Sequence, residues 1–200
     1  MSAGRSISAG RSTSDDTSRR IVLVLGGVRS GKSRYAQEFA DRGERVAFLA
    51  TGQACDDEMR DRIARHRAER PSAWTTIEAP IALEDALARC GDGQFDTIVI
   101  DCLTIWTANL MEHEASDADR VLAHADRLAQ LLRGVPAAVV LVSNEVGGGI
   151  VPENEVARLY RDLLGGVNQR IAAAADEVIL MVAGCPLVIK QPTQPVEARA

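Results

Sequence analysis

The chain is 200 residues long, the size of one ordinary domain with room for a tail. Hydrophobic residues make up 46% of it, enough for one buried core, yet no apolar run is long enough to span a bilayer. A net charge of −5 argues against the basic face that sequence-independent nucleic-acid binding requires, while an anionic ligand remains allowed, because its site needs only backbone donors and one or two cations.

Residues 1–19 repeat the pentapeptide Ser-Ala-Gly-Arg-Ser at Ser2–Ser6 and Ser8–Ser12. Their apolar content is too low to pack, which predicts a disordered extension, and they lack the apolar segment of a secretory signal. From Ile21 onward, strands and helices alternate. Ile21–Leu25 reads as a strand, Ser33–Asp41 as a helix and Arg45–Ala50 as a second strand. Asp56–Glu69 is charged and helix-forming, with Met59, Ile63 and His66 along one side. Ile81–Cys90 is helical, Thr97–Ile100 is an apolar strand ending at Asp101, and Leu103–Met111 is helical. Ala118–Arg133 is an amphipathic helix with Val121, Leu122, Ala125, Leu128, Leu131 and Leu132 inward. Ala137–Val142 reads as a strand, followed by a glycine-rich loop. Asn154–Ala175 is a long helix with Leu159, Leu163, Val167 and Ile171 at four-residue steps. Val178–Val182 and Leu187–Ile189 are late strands. The folded unit is predicted over 20–190, with a loose, proline-containing tail over 191–200.

Continuous apolar strands alternating with helices predict an α/β fold, a mostly parallel sheet covered on both faces. Ligands bind at the carboxyl ends of such strands, so the segments after Leu25, Ala50, Ile100 and Val142 line one edge. Cys55, Cys90, Cys102 and Cys185 show no CxxC spacing. That argues against a zinc site or disulfide framework and for reduced thiols in a cytoplasmic protein.

Gly26-Gly27-Val28-Arg29-Ser30-Gly31-Lys32-Ser33 matches GxxxxGK[ST] in full, with a strand before it and a helix after it. The glycines let backbone N–H groups turn inward around phosphate oxygens, and the helix N-terminus adds positive potential. Lys32 has the reach for β- and γ-phosphates, and the Ser33 hydroxyl is a magnesium ligand candidate. Asp101, ending an apolar strand, is the natural acidic partner for that metal; a helix N-cap is the alternative. His66 lies among Arg65, Arg67 and Arg70. It is either an ordinary surface histidine or an imidazole that cationic neighbours keep neutral and nucleophilic. His113 and His124 lack such company and read as surface residues. Asn144–Asn154, with three consecutive glycines at the ligand edge, reads as a substrate loop or a flexible connection.

These segments together resemble the bifunctional adenosylcobinamide kinase/adenosylcobinamide-phosphate guanylyltransferase family of cobalamin biosynthesis. The residues that carry the resemblance are GGVRSGKSRYAQ, FLATGQACDDEMRDRIARHRAERP, TIVIDCLTIWTANL, LVSNEVGGGIVPENEVARLYRDLLGGVNQRIAAAADEV and MVAG, spanning about Ile21 to Lys190. The combination of RIARHRAERP and SNEVGGGIVPEN is far more specific than the phosphate loop alone.

The resemblance implies a three-layer, RecA-like P-loop NTPase that works as a homotrimer without a tightly bound prosthetic group. It implies two magnesium-dependent reactions: ATP or GTP phosphorylates adenosylcobinamide, and GTP then guanylylates a histidine that passes GMP to adenosylcobinamide phosphate. His66 falls on that histidine, and Gly26 to Ser33 on the nucleotide loop. Thr51, Gly52, Gln53, Glu69, Arg70, Pro71, Ser72, Glu78 and Asp101 fall on positions lining the GTP site. Two departures stand out: Arg65 replaces the first of two adjacent histidines found in some members, and Asp101 replaces a glutamate. The Gly52–Asp57 stretch is a candidate hinge for the His66 helix. The alternatives are a plain P-loop small-molecule kinase, in which His66 only binds phosphate, and a nucleotide-gated binding module, which leaves the Arg65-His66-Arg67 segment without a role.

Overall fold

The computed structural model describes residues 19–53, 57–68 and 70–191, without the side chains of Glu58, Met59, Arg62 and Arg65. Except for Arg19 and Gln191, the two expected tails lie outside the described residues. So do Glu69 and the middle of the expected hinge. The elements in chain order are β1 (Ile21–Gly26), α1 (Lys32–Ala40), β2 (Val46–Ala50), α2 (Asp57–Ala68), β3 (Thr75–Glu78), α3 (Leu83–Cys90) and β4 (Thr97–Asp101). They continue with α4 (Leu103–His113), α5 (Ala118–Leu132), β5 (Ala138–Val142), α6 (Glu155–Ala174), β6 (Glu177–Val182) and β7 (Cys185–Lys190). Every strand and helix expected from the pattern is present, with ends shifted by a residue or two. Strand β3 is an addition. Its sequence, Thr-Thr-Ile-Glu, has no long apolar run, and it forms by pairing in parallel with β2 from Ala47↔Thr75 to Ala50↔Glu78.

The described residues build one seven-stranded sheet in the order β3-β2-β4-β5-β1-β6-β7. All neighbouring pairs are parallel except the β6–β7 hairpin. Strand β5 therefore lies between β1, which leads into the phosphate loop, and β4, which ends at Asp101. The register brings the carboxyl ends level, with Ala50 opposite Asp101, Asp101 opposite Val142 and Val142 opposite Val24.

Strand side chains alternate between two cores of unequal depth. On one face Leu23, Leu49, Ile98, Ile100, Val139 and Leu141 join residues of α3, α4, α5 and α6, including Leu87, Trp106, Leu128 and Ile171. On the other, Val22, Val24, Phe48, Val99 and Val140 meet Ala36 and Ala40 of α1. This is a three-layer α/β sandwich. No helix among the described residues is long and apolar enough to cross a membrane.

Two expectations about side chains need correction. In α5, Val121, Ala125, Leu128 and Leu132 are buried but Leu131 is 37% exposed, because Leu132 occupies the inward place four residues after Leu128. His124 is not a free surface residue: its side chain is 18% exposed. Its Nδ1 lies 2.6 Å from Glu84 Oε1 and its Nε2 3.3 Å from Glu114 Oε1, with the ring edge-on to Trp106. The partners come from α3 and from the end of α4, pairings that spacing along α5 cannot reveal.

Candidate active site

The phosphate loop follows β1 without a break. Gly26 has φ 152° and Gly31 φ 97°, the latter directly before the first residue of α1. No acidic residue of α1 itself stands in its first turn, so the carboxylate that meets the positive end of that helix comes from elsewhere in the fold. The Lys32 ammonium donates to the Gly27 carbonyl at 2.7 Å and is largely buried. Ser30 Oγ is buried without a hydrogen-bond partner, an unsatisfied polar atom inside the loop. The β6–β7 turn buttresses the loop: Gly184 N–H donates to Ser30 O at 2.9 Å.

A Cβ on Gly26 would lie 2.5 Å from the Met181 carbonyl oxygen and 2.7 Å from Ser30 Oγ. The serine can turn away, but the backbone carbonyl cannot without disturbing β6. Gly26→Ala is therefore expected to destabilise the protein by about 1–3 kcal/mol, seen as a fall of several degrees in Tm, and to weaken triphosphate binding. An unchanged Tm would show that the loop tolerates the methyl group.

Four other side chains act on Asp101. The Ser33 hydroxyl is hydrogen-bonded to its carboxylate, and His66, Arg70 and Lys32 all act on its charge. Burial pushes the Asp101 carboxyl above its ordinary range, and these four neighbours, His66 foremost, pull it back. His66 is brought there by α2, whose Ile63 packs against Gly52: a Cβ on Gly52 would meet Ile63 Cδ1 at 3.3 Å. Arg70 is held by an aromatic stack. Its guanidinium carbon lies 3.6 Å from the Phe48 ring centroid, and Trp74 stacks on the same ring at 6.3 Å. Burial lowers the pKa of Arg70 while the Asp101 charge raises it, and Arg70 Nε is buried without a partner.

At the end of β2, Thr51 is fully buried and clamps the chain after Asp101. Its hydroxyl donates to Cys102 O and accepts from Cys102 N–H, both at 2.8 Å. Asn109 Nδ2 then bridges the carbonyls of Thr51 and Pro80, each at 2.9 Å. Gln53 lines an open cavity of about 240 Å³ with Ile81, Asn109, Glu112 and His113. That cavity includes neither the phosphate loop nor His66, so it adjoins the convergence on Asp101 without containing it. Burial and the Asp101 charge push the Cys102 thiol up to about 12, which keeps it protonated and removes it as a competing nucleophile.

The remaining expected positions are spread more widely. Glu78 ends β3 level with Ala50, and Pro71 and Ser72 are exposed in the turn before β3. Gly27, Val28 and Arg29 form the exposed crest of the phosphate loop, with Arg29 at φ 56°. Phe48, Trp74 and Asn109 are supporting residues that the motifs do not announce. Asn109 alone left a signal, a polar residue between apolar ones on a buried helix.

The Asn144–Asn154 loop leaves β5 beside the phosphate loop, where Glu145 N–H donates to Gly26 O at 3.1 Å. Arg161 of α6 donates to Gly147 O at 2.7 Å and Arg158 to Pro152 O at 3.0 Å. The loop is thus pinned at both shoulders. At its tip Ile150 is 97% and Val151 63% exposed.

Comparison with known proteins matches residues 22–189 to the family described as cobinamide kinase / cobinamide phosphate guanyltransferase. The chain is 43% identical over 181 residues to a "Bifunctional adenosylcobalamin biosynthesis protein CobU" of Salmonella typhimurium, covering 85% of this chain and 99% of that one. It is 42% identical over 175 residues to a "Bifunctional adenosylcobalamin biosynthesis protein CobP" of Pseudomonas aeruginosa, covering 84% and 96%. Among solved structures it is similar to an ATPase from the type III secretion system of pathogenic bacteria, with a TM-score of 0.52 at 11% identity. That match covers 80% of this chain and 50% of the other, and it concerns the fold alone.

Proposed function

The chain belongs to the cobinamide kinase / cobinamide phosphate guanyltransferase family of enzymes, and from that membership we propose how its residues divide two reactions. In the first, the hydroxyl of adenosylcobinamide attacks the γ-phosphorus of ATP or GTP, and the nucleoside diphosphate leaves. In the second, a nitrogen of His66 attacks the α-phosphorus of GTP and pyrophosphate leaves. The GMP then passes from His66 to a phosphate oxygen of adenosylcobinamide phosphate, giving adenosylcobinamide-GDP.

The observation that carries this reading is the Ser33 hydroxyl hydrogen-bonded to the Asp101 carboxylate beside the phosphate loop, with His66, Arg70 and Lys32 near enough to act on the same charge. Triphosphate-binding groups and a nucleophile thereby share one carboxylate. In this reading the backbone of Gly26 to Ser33 cradles the triphosphate and Lys32 neutralises charge on its β- and γ-phosphates. Arg70, held over the Phe48 ring, presents a cation to phosphate oxygens. Thr51, Gly52, Gln53, Glu69, Pro71, Ser72 and Glu78 line the rest of the nucleotide site. The apolar tip formed by Ile150 and Val151 faces the corrinoid, the apolar partner in the reaction.

The two phosphorus centres stand about two bridging oxygens apart, farther than a reacting distance of ~3–3.5 Å. Either the nucleotide shifts between steps or α2 carries His66 to it; we favour movement of α2, whose start follows Gly52. A homotrimer remains the proposed assembly, and exposed Leu187, Val188 and Ile189 of β7 suit a contact between subunits.

The residues fit magnesium. Ser33 and Asp101 are two hard oxygen donors already joined by a hydrogen bond beside the phosphate loop, and Mg²⁺ takes few protein ligands when phosphates supply the others. Bound there, the ion would neutralise charge on the β- and γ-phosphate oxygens. Asp101→Asn is accordingly expected to raise the magnesium concentration needed for half-maximal kinase activity by about tenfold or more, with little change in Tm. An unchanged magnesium titration would remove Asp101 from the metal site.

The function as a whole is tested by incubation with α-labelled and γ-labelled GTP, with and without adenosylcobinamide. Transfer of γ-label to adenosylcobinamide together with α-label on the protein supports both steps. Transfer of γ-label alone, with no α-label on protein or product, reduces the protein to a plain kinase.

A further inference from the structure

Strand β5 is the one strand between β1 and β4, so the residues just past its end stand between the phosphate loop and Asp101. The chain does not swing away at Val142. Ser143 N–H donates to Val24 O at 2.9 Å and Glu145 N–H to Gly26 O at 3.1 Å, so the β1–β5 pairing continues to the root of the phosphate loop.

An unusual concentration of buried polar groups holds this crossing. Ser143 is fully buried and donates to Asn168 Oδ1 at 2.7 Å. Asn168, only 6% exposed on α6, donates in turn to Asn144 O at 3.0 Å. Asn144 N–H donates to Thr104 Oγ1 at 2.8 Å. Buried polar side chains cost stability unless each finds partners, and here the partners are the backbone and side chains of residues 143 and 144. The network fixes the position of residue 145. The Glu145 carboxylate is itself oriented, since Oε1 accepts from Gly147 N–H at 2.6 Å. A Cβ on Gly147 would lie 2.8 Å from that oxygen, so only glycine leaves the carboxylate where it is. Among the described residues no ion pair holds Glu145, and Oε2 takes no hydrogen bond.

We propose that Glu145 is the catalytic base of phosphoryl transfer, taking the proton from the acceptor hydroxyl. This rests on the kinase reading above. Transfer to a hydroxyl requires an acceptor that loses its proton as it bonds to phosphorus, and a positioned carboxylate serves that purpose. The other carboxylates at this edge are less suited. Asp101 is engaged by Ser33 and surrounded by cations, and Glu78 ends β3, which β2, β4 and β5 separate from β1. In the step, the O–H bond of the acceptor breaks and its proton moves to Glu145 Oε2. The acceptor oxygen bonds to the γ-phosphorus. The bond from that phosphorus to the bridging oxygen breaks, and its electron pair leaves with the nucleoside diphosphate. Glu145 then returns the proton to water. Guanylyl transfer from GTP through His66 has no hydroxyl acceptor and does not use Glu145.

The test compares the full chain with Glu145→Gln and Glu145→Asp in two separate assays: phosphorylation of adenosylcobinamide, and GMP transfer from GTP to adenosylcobinamide phosphate supplied directly. Glu145→Gln is expected to lower kinase kcat by about 10²–10³-fold and to remove the acidic fall of the pH–kcat profile, with GMP transfer unchanged. Glu145→Asp should recover part of the kinase rate. A kinase kcat in Glu145→Gln within about tenfold of the unaltered enzyme overturns the proposal. So does a parallel loss of both activities, which would make Glu145 a structural prop of the phosphate loop. Failure of the kinase reading itself looks different: the unaltered protein would then transfer GMP but phosphorylate no adenosylcobinamide.

Discussion

His66→Ala is expected to abolish guanylyl transfer, a loss of more than about 10³-fold, while the kinase reaction keeps most of its rate. A nucleophile cannot be replaced by its surroundings, because the covalent intermediate no longer forms. The groups proposed for the kinase step, Lys32, Ser33 and Asp101, remain in place. The label itself provides a second readout. A P–N bond to histidine survives alkali and breaks in mild acid, whereas a phosphoester on serine does not follow that pattern. With α-labelled GTP, the unaltered protein should retain label through alkaline denaturation and lose it in acid, and the alanine variant should retain none. Normal formation of adenosylcobinamide-GDP by the variant, or acid-stable label, would rule out a covalent His66.

Lys32→Ala is expected to lower kinase kcat by about 10²–10³-fold and to weaken triphosphate binding as measured by calorimetry. The ammonium lies over its own loop, 2.7 Å from Gly27 O, and the loop geometry keeps it largely buried. In the proposed reading, an alanine there leaves developing charge on the transferred phosphoryl group without the cation that neutralises it. Lys32→Arg should restore charge but not rate, because a planar guanidinium is wider than an ammonium and Lys32 is largely buried in the loop. Wild-type turnover in Lys32→Ala would refute the assignment of the loop. Unlike His66→Ala, this variant should impair both reactions, since in this reading each binds its own triphosphate in the same loop.

What was legible in the chain was local or periodic. The phosphate loop, Asp101 at a strand end and the stripe on α6 are each written within a few consecutive turns or in one motif. The parallel sheet followed from apolar strands interleaved with helices. His66 was legible through the company it keeps in RIARHRAERP, but its proximity to Asp101 was not, because α2 and β4 are joined only in space. The same holds for Arg70 on Phe48, for Asn109 between Thr51 and Pro80, and for His124 between Glu84 and Glu114. Each is a pairing between elements, and no spacing rule encodes it. Strand β3 escaped for another reason. As an edge strand it is half exposed, so its residues carry neither the continuous apolar run of a central strand nor a clean alternation.

The β6–β7 hairpin adds a constraint of timing. The phosphate loop opens the fold, yet its backbone is completed by Gly184 donating to Ser30 and by the Met181 carbonyl standing where a side chain on Gly26 would go. During synthesis on a ribosome, β1 and α1 emerge long before these partners exist. The loop residues must wait, unsupported, until nearly the whole described chain has left the exit tunnel. A nascent chain arrested before β6 should therefore show no triphosphate affinity, however much of its core has formed. Nucleotide would then act as a chaperone only for the finished polypeptide, by stabilising a loop that the last strands have just closed.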